Sequence, residues 1–121
     1  MRERTTQDTA ARPLLKPAAF HILLALADGD SYGYAVMQAV RRGSGGRVPL
    51  STGSFYRRLS LLIKSGLVEE AAAPRDDDPR RGAYYRVTAA GRQAVTRERD
   101  RLAALVSALD GLGPASRRGR A

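Results

Sequence analysis

Residues 50–67 constrain the fold of this chain most, because their apolar side chains recur with the period of an α-helix. At about 100° per residue, three of them project to the same side, namely Phe55, Leu59 and Leu62. Ser51 or Thr52 is placed to cap the start of the helix, and Gly66 to end it. The segment therefore predicts one short amphipathic helix that buries its apolar face.

The opposite face of this helix, which we call the basic face, consists of Gly53, Arg57, Ser60 and Lys64. Gly53 allows the backbone to approach a phosphate closely, Arg57 suits a phosphate or a guanine edge, and Lys64 adds a point charge. This composition is typical of a DNA recognition helix. An ordinary surface helix with a solvated basic face is the alternative.

The charge distribution favours the first interpretation. The 121 residues carry a formal charge of +9, which indicates one domain with an anionic partner. No Asp or Glu occurs from Ser31 to Val68. The basic residues in that stretch are Arg41, Arg42, Arg47, Arg57, Arg58 and Lys64.

Composition argues against several other functional classes. With no cysteine and a single histidine, we expect no disulfide, thiolate nucleophile or metal cluster, and therefore neither an enzyme nor a cofactor. The start of the chain lacks the apolar core of a secretory signal, and no apolar run approaches the roughly 18 residues that span a bilayer. We expect a soluble cytoplasmic protein.

Apolar periodicity, together with proline, glycine and capping residues, predicts further helices and strands on both sides of residues 50–67. A first, leucine-rich helix starts near Pro17 and stops before the Asp-Gly-Asp break at 28–30. Ser31 is predicted to cap a second helix, which the glycine-rich run at 43–46 ends. The segments LVEEAAA and AYYRV predict two strands joined by the charged loop PRDDDPRRG.

A last helix is predicted from about Ala89 to Leu112, with Thr88 as its cap. Its apolar residues follow a near-heptad spacing that Glu98 interrupts. We expect flexible basic arms at 1–13 and 113–121, because both are too polar to pack.

The order helix, helix, helix, hairpin, helix is that of a winged helix-turn-helix, and specific residues strengthen the likeness. The leucine-rich first helix is followed by YGYAV, STGSFYRRL, SGLV and YYRVTAAG in that order. On these motifs residues 14–112 resemble the PadR family of transcriptional regulators. Ala90 departs from the acidic residue frequent there, which predicts a weaker cap on the last helix but the same fold.

The resemblance implies a mainly α fold with a small β-hairpin wing. It divides the chain into a winged helix-turn-helix at 14–88 and a C-terminal dimerisation helix at 89–112. It also implies a homodimer, usually a repressor, that binds a pseudo-palindromic operator in double-stranded DNA, and possible control by a small hydrophobic or phenolic effector. The implied dimer interface is Val95, Leu102, Leu105, Val106, Leu109 and Leu112.

The DNA-contacting residues that follow from this resemblance and from the basic face lie on the third helix and the wing. They are Ser51, Thr52, Gly53, Ser54, Tyr56, Arg57, Arg58, Ser60, Lys64, Arg80 and Arg81. The three aspartates at 76–78 oppose phosphate binding, so we expect them to point away or pair with arginines and leave Arg80 and Arg81 for DNA. A solvated wing loop that contacts nothing is the alternative.

Structural alternatives also stand beside the functional ones. Tyr56 is interpreted as a phosphate ligand or as a core aromatic, and Arg41 and Arg42 are explained by the dipole of the helix that they end. His21 is interpreted as a packed residue. Two other functions stay open: a winged-helix module that binds protein instead of DNA, and a sequence-indifferent nucleic-acid binder that uses the arginine-rich tails.

Overall fold

The computed structural model describes residues 15–112, which form four α-helices, a short 3-10 helix at Pro79–Arg81 and one three-stranded sheet. The elements are α1 (Pro17–Ala27), β1 (Ser31–Tyr32), α2 (Gly33–Gly43), α3 (Thr52–Lys64), β2 (Val68–Ala71), β3 (Tyr84–Val87) and α4 (Ala89–Leu112). This order confirms the predicted fold class, a mainly helical winged helix-turn-helix with a long last helix. The arms predicted at 1–13 and 113–121 lie outside the described residues.

The core forms around α1, which packs against α2, α3, α4 and β3. Ile22, Leu23 and Leu26 of this helix are almost fully buried, as expected for a helix with apolar residues on nearly every face. From α3 the core receives Phe55, Leu59 and Leu62, which confirms the predicted buried face. Burial of this face fixes the opposite face of α3 toward solvent.

Both ends of α3 follow the predicted capping chemistry. The Ser51 side chain accepts a hydrogen bond from the Ser54 backbone N–H at 3.1 Å, so Ser51 is the N-cap. After the helix, Gly66 has a φ of 79°, a left-handed conformation that glycine adopts without strain. The Gly66 N–H donates to the Ile63 carbonyl and the Leu67 N–H to the Leu62 carbonyl, which is the Schellman arrangement.

The start of α2 differs from the prediction. Ser31 and Tyr32 form a short strand that pairs with β3, opposite Tyr85 and Tyr84, and the helix begins at Gly33 without a side-chain cap. The prediction that Ser31 caps α2 is therefore wrong. Pairing with β3 gives this backbone its hydrogen bonds, and the Tyr32 and Tyr84 rings lie 5.5 Å apart on the sheet. The sheet order is β1-β3-β2.

Thr88 joins the end of α3 to the start of α4. Its hydroxyl donates to the Gly66 carbonyl at 2.6 Å and accepts from the Gly91 N–H at 3.1 Å, which confirms it as the cap of the last helix. Its own N–H donates to the Leu67 carbonyl at 3.0 Å. These bonds bring the first turn of α4 directly against the segment that leaves α3.

The close approach explains the glycine three residues after the threonine. A Cβ placed on Gly91 would lie 2.6 Å from Val87 Cγ2 and closer still to the Leu67 carbonyl oxygen. Any larger residue would push α4 away from β3. Gly91 is therefore required by packing and not by backbone conformation.

The two halves of α4 have different surroundings. Gly91, Ala94 and Glu98 in the first half are buried, and the Glu98 carboxylate pairs with Arg101 on the same helix. The hydrogen bond from Arg101 lowers the pKa of Glu98 below its ordinary value. The second half is exposed. Nowhere in residues 15–112 does a helix combine the length and apolar character that crossing a membrane requires.

Candidate nucleic-acid interface

The basic face of α3 is exposed along the whole helix. Gly53, Arg57, Ser60 and Lys64 are all open to solvent, on the side opposite the buried aromatic and leucine side chains. Arg57 donates a hydrogen bond to the Ser54 hydroxyl at 3.3 Å. Among residues 15–112, Arg57, Arg58 and Lys64 form no ion pair with a carboxylate. Their charges are therefore available to an anionic partner.

The hydroxyl-bearing residues at the start of α3 have different surroundings. Ser51 uses its oxygen for the cap, as the structural alternative predicted, while Thr52 is exposed and Ser54 is half-buried. Arg58 is also half-buried, on the flank of the helix. Contact of these four residues with DNA stays a prediction.

Tyr56 packs against the protein through its ring, and its hydroxyl lies close to Gly33. The ring packs edge-to-face on Phe55 at 4.9 Å, and the hydroxyl fills the space that a Cβ at Gly33 would take. Burial raises the pKa of Tyr85, and the nearby Tyr56 and Glu70 add to the shift. Tyr56 is 41% exposed, so its outer edge lies at the protein surface beside the start of α2.

A row of hydrogen-bonded polar side chains, which we call the α2 row, runs along α2 to the start of α3. Gln38 donates to the Tyr34 hydroxyl at 2.7 Å, and Arg41 donates to the Gln38 amide oxygen at 3.5 Å and the Leu50 carbonyl at 3.3 Å. The Arg41 side chain thus meets the residue that precedes the Ser51 cap. The sequence prediction omitted this row, although the spacing of 34, 38 and 41 places all three on one side of a helix.

Ion pairs with neighbouring aspartates partly neutralise the two arginines that were predicted to make the wing tip basic. Arg80 pairs with Asp78 at 2.9 Å, and Arg81 pairs with Asp77 at 3.0 Å and lies over the Tyr32 ring at 4.9 Å. Two of the three aspartates, Asp77 and Asp78, thus pair with arginines, which was one of the two predicted arrangements. The arginines in these pairs are the two that were expected to reach DNA, and their contact with DNA stays a prediction.

The contacts of the wing tip also shift the pKa values of some of its charged groups. Hydrogen bonds from Arg80 lower the pKa of Asp78. The hydrogen bond to Tyr84 raises the pKa of Arg81, with further contributions from Tyr32 and Asp77. Arg81 is therefore held against the sheet, whereas the Arg80 side chain, 89% exposed, keeps its outer surface open despite its ion pair.

Arg75 is a further wing arginine, which the sequence prediction did not include among the DNA-contacting residues. It is exposed in the turn that precedes the aspartates, and in the described part of the chain it has no hydrogen-bonded or ionic partner. Asp76 follows it with a φ of 58°, so the chain reverses sharply at this point. An unpaired cation at a loop tip is suited to a phosphate.

A second exposed surface lies on α4, and we call it the leucine face. Exposure rises along the helix from 39% at Leu102 to 69% at Leu112. The members of this face are Leu102, Leu105, Val106, Leu109 and Leu112. Val95, grouped with them in the prediction, instead packs half-buried against the protein's own core. No three His, Asp or Glu side chains converge as a metal site within residues 15–112.

A winged helix-turn-helix with an acid-free basic third helix has the architecture of a DNA-binding regulator. The family model described as "Transcriptional regulator PadR-like family" matches residues 22–97, more than half of the chain. The chain belongs to this family. The resemblance of its motifs to PadR regulators is thereby confirmed. A comparison with curated proteins gave no match.

Solved structures with PadR names share the fold. A PadR family regulator from Clostridium difficile has a TM-score of 0.64 at 19% identity, covering 80% of this chain and 98% of that one. For a PadR-like regulator from Bacillus cereus the TM-score is 0.65 at 21% identity, with 78% and 88% covered. Bacillus subtilis PadR, solved in complex with operator DNA, gives 0.55 at 18% identity, with 68% and 46% covered.

Proposed function

We propose that this chain is a homodimeric, sequence-specific DNA-binding protein that represses transcription from a pseudo-palindromic operator. The observation that carries the proposal is the exposed basic face of α3, which forms no ion pair with a carboxylate of residues 15–112 and is held outward by the buried face behind it. Membership of the PadR-like family supports it. The exposure of Arg57 and Lys64 suits direct contact with the major groove.

In the proposed complex, α3 lies in the major groove while neighbouring residues bind the sugar-phosphate backbone. The α2 row ends at the start of α3, so in this complex Tyr34 and Arg41 would lie beside the DNA major groove that α3 enters. Arg75 extends the interface from the wing tip. These residues position the protein, and the basic face supplies the sequence preference.

The proposed dimer forms through the leucine face. Five exposed apolar side chains on one helix are a surface that a second copy of the helix would remove from water. A two-fold axis through this interface would present two copies of α3 to successive major grooves about 34 Å apart, so the operator should be an inverted repeat. The proposal places a small hydrophobic effector, where one acts, at this apolar interface.

A binding selection with randomised duplex DNA, repeated at two salt concentrations, tests the proposal. We expect enrichment of an inverted repeat with half-sites about one helical turn apart, and an affinity that falls with salt by a log-log slope near −0.9 for each neutralised phosphate. Arg57→Ala combined with Lys64→Ala should abolish the enrichment. Arg97→Ala with Arg99→Ala on α4 removes the same charge away from α3, and is the matched control.

The alternatives give different results in the same assay. A sequence-indifferent binder would retain DNA without a motif and release it at the higher salt. A protein-interaction module would retain none at either salt. Repression itself is tested by transcription in vitro from a promoter that overlaps the selected operator, where the purified protein should lower transcript yield.

A further inference from the structure

The basic face of α3 is bordered by an exposed leucine. Leu61 is 49% exposed, and it lies one turn after Arg57 and one turn before Lys64. The core contacts of α3 are made by Phe55, Leu59 and Leu62. Leu61 therefore has no large role in the packing of this domain, yet it lies at the edge of the basic face that is proposed to meet DNA.

Ile63 provides a useful comparison on the same helix. It is also exposed, at 39%, but at about 100° per residue it lies on the other flank of α3, on the side of Tyr56. Leu61 shares its side with Ser54, the residue that hydrogen-bonds Arg57. Two exposed apolar side chains thus differ in whether they lie beside the predicted base-contacting arginine.

The chemistry of the major groove indicates what Leu61 would contact. The edges of the base pairs there carry hydrogen-bonding groups and one apolar group, the C5-methyl of thymine. A leucine cannot satisfy the polar edges, but it removes a methyl group from water on contact. Four residues separate Leu61 from Arg57, about 6 Å along the helix, which corresponds to roughly two base-pair steps.

We propose that Leu61 is a specificity-determining residue that selects thymine by contact with its C5-methyl group, about two base pairs from the position that Arg57 contacts. The inference rests on the proposed function, because it requires α3 in the major groove. The inference goes further than the proposed function, because it assigns a base preference to an apolar residue that is not among the predicted DNA-contacting residues.

Uracil substitution tests this interaction, because uracil pairs like thymine and lacks the methyl group. Each thymine of the selected operator is replaced in turn, symmetrically in both half-sites, and binding is measured by fluorescence anisotropy. We expect one position at which uracil weakens wild-type binding about fourfold per half-site, or roughly 15-fold for both, the effect of burying one methyl group in each. At that position Leu61→Ala should bind both duplexes equally.

Ile63→Ala is the matched control and should keep the full wild-type response to uracil. Leu61→Gln supplies a second variant, which should lose the thymine preference at that position when the selection is repeated. Thermal unfolding of each variant confirms that it is folded before binding is compared.

The outcomes separate the two proposals. If the wild-type protein selects an operator but no uracil substitution weakens binding, the Leu61 inference is wrong and the proposed function stands. Full uracil sensitivity in Leu61→Ala, or its loss in Ile63→Ala, also overturns the inference. If the wild-type protein selects no sequence, the proposed function and this inference fail together.

Discussion

Replacement of Gly91 by alanine should destabilise the protein, although helix propensity alone predicts the opposite. Alanine is favoured over glycine inside a helix by about 1 kcal/mol. At this position, however, the new Cβ would overlap the Leu67 carbonyl oxygen and lie 2.6 Å from Val87 Cγ2. The backbone oxygen has little freedom to move, because it already accepts the Thr88 N–H at 3.0 Å.

The magnitude follows from these opposing effects. Forcing an extra carbon into a packed site costs about 1–3 kcal/mol. Weakening the Thr88 to Leu67 hydrogen bond adds about 0.5–1.5 kcal/mol. After the propensity gain of about 1 kcal/mol, we expect Gly91→Ala to lower the free energy of unfolding by roughly 0.5–3.5 kcal/mol.

Urea denaturation followed by circular dichroism measures this difference, at one fixed protein concentration because association shifts apparent stability. Gly111→Ala is the control, since it lies on the same helix with no atom within 4 Å of the added Cβ. That variant should be as stable as the wild type or more stable. Equal stability of Gly91→Ala and the wild type would refute the packing argument.

Three other perturbations test separate parts of the molecule. Leu105→Asp with Leu109→Asp should give a monomer in sedimentation velocity, because charges replace the centre of the leucine face, and a persistent dimer would place the interface elsewhere. Arg57→Ala should weaken operator binding and reduce the log-log slope of its salt dependence by about 0.9 for each phosphate that the arginine neutralises, and unchanged binding removes Arg57 from the interface. The Arg101 hydrogen bond lowers the pKa of Glu98 below its ordinary value of 4.5. The ionised Glu98 carboxylate therefore stabilises the fold fully above pH 4.5, and this stabilisation is lost as the pH falls through the lowered pKa. Glu98→Gln should reduce the loss of stability in acid, and superimposable pH profiles would contradict this.

Local signals explain why most of the fold could be predicted from the sequence. The cap at Ser51, the stop at Gly66 and the cap at Thr88 each depend on a few neighbouring residues, and all three agree with the structure. The two faces of α3 follow from helical periodicity, so the exposed side of the candidate site could be predicted as well.

Long-range contacts explain what the sequence could not show. Strand β1 has two residues, and it exists because of pairing with Tyr84 and Tyr85, more than fifty positions later. A serine before a helical pattern has the same local signature as an N-cap, so the pattern alone favours the more common role for Ser31. Similarly, Arg81 is held by Asp77 and the Tyr32 ring, and that ring reaches the wing through β1.

The Thr88 hydroxyl links the helix that carries the basic face to the helix that carries the leucine face. It donates to the Gly66 carbonyl and accepts from the Gly91 N–H, so one side chain joins the segment after α3 to the first turn of α4. In the proposed dimer, a change in the crossing angle of the two α4 helices would therefore also change the relative orientation of the two α3 helices. If the chain dimerises as proposed, the preferred spacing of the operator half-sites would then depend on the angle at the dimer interface.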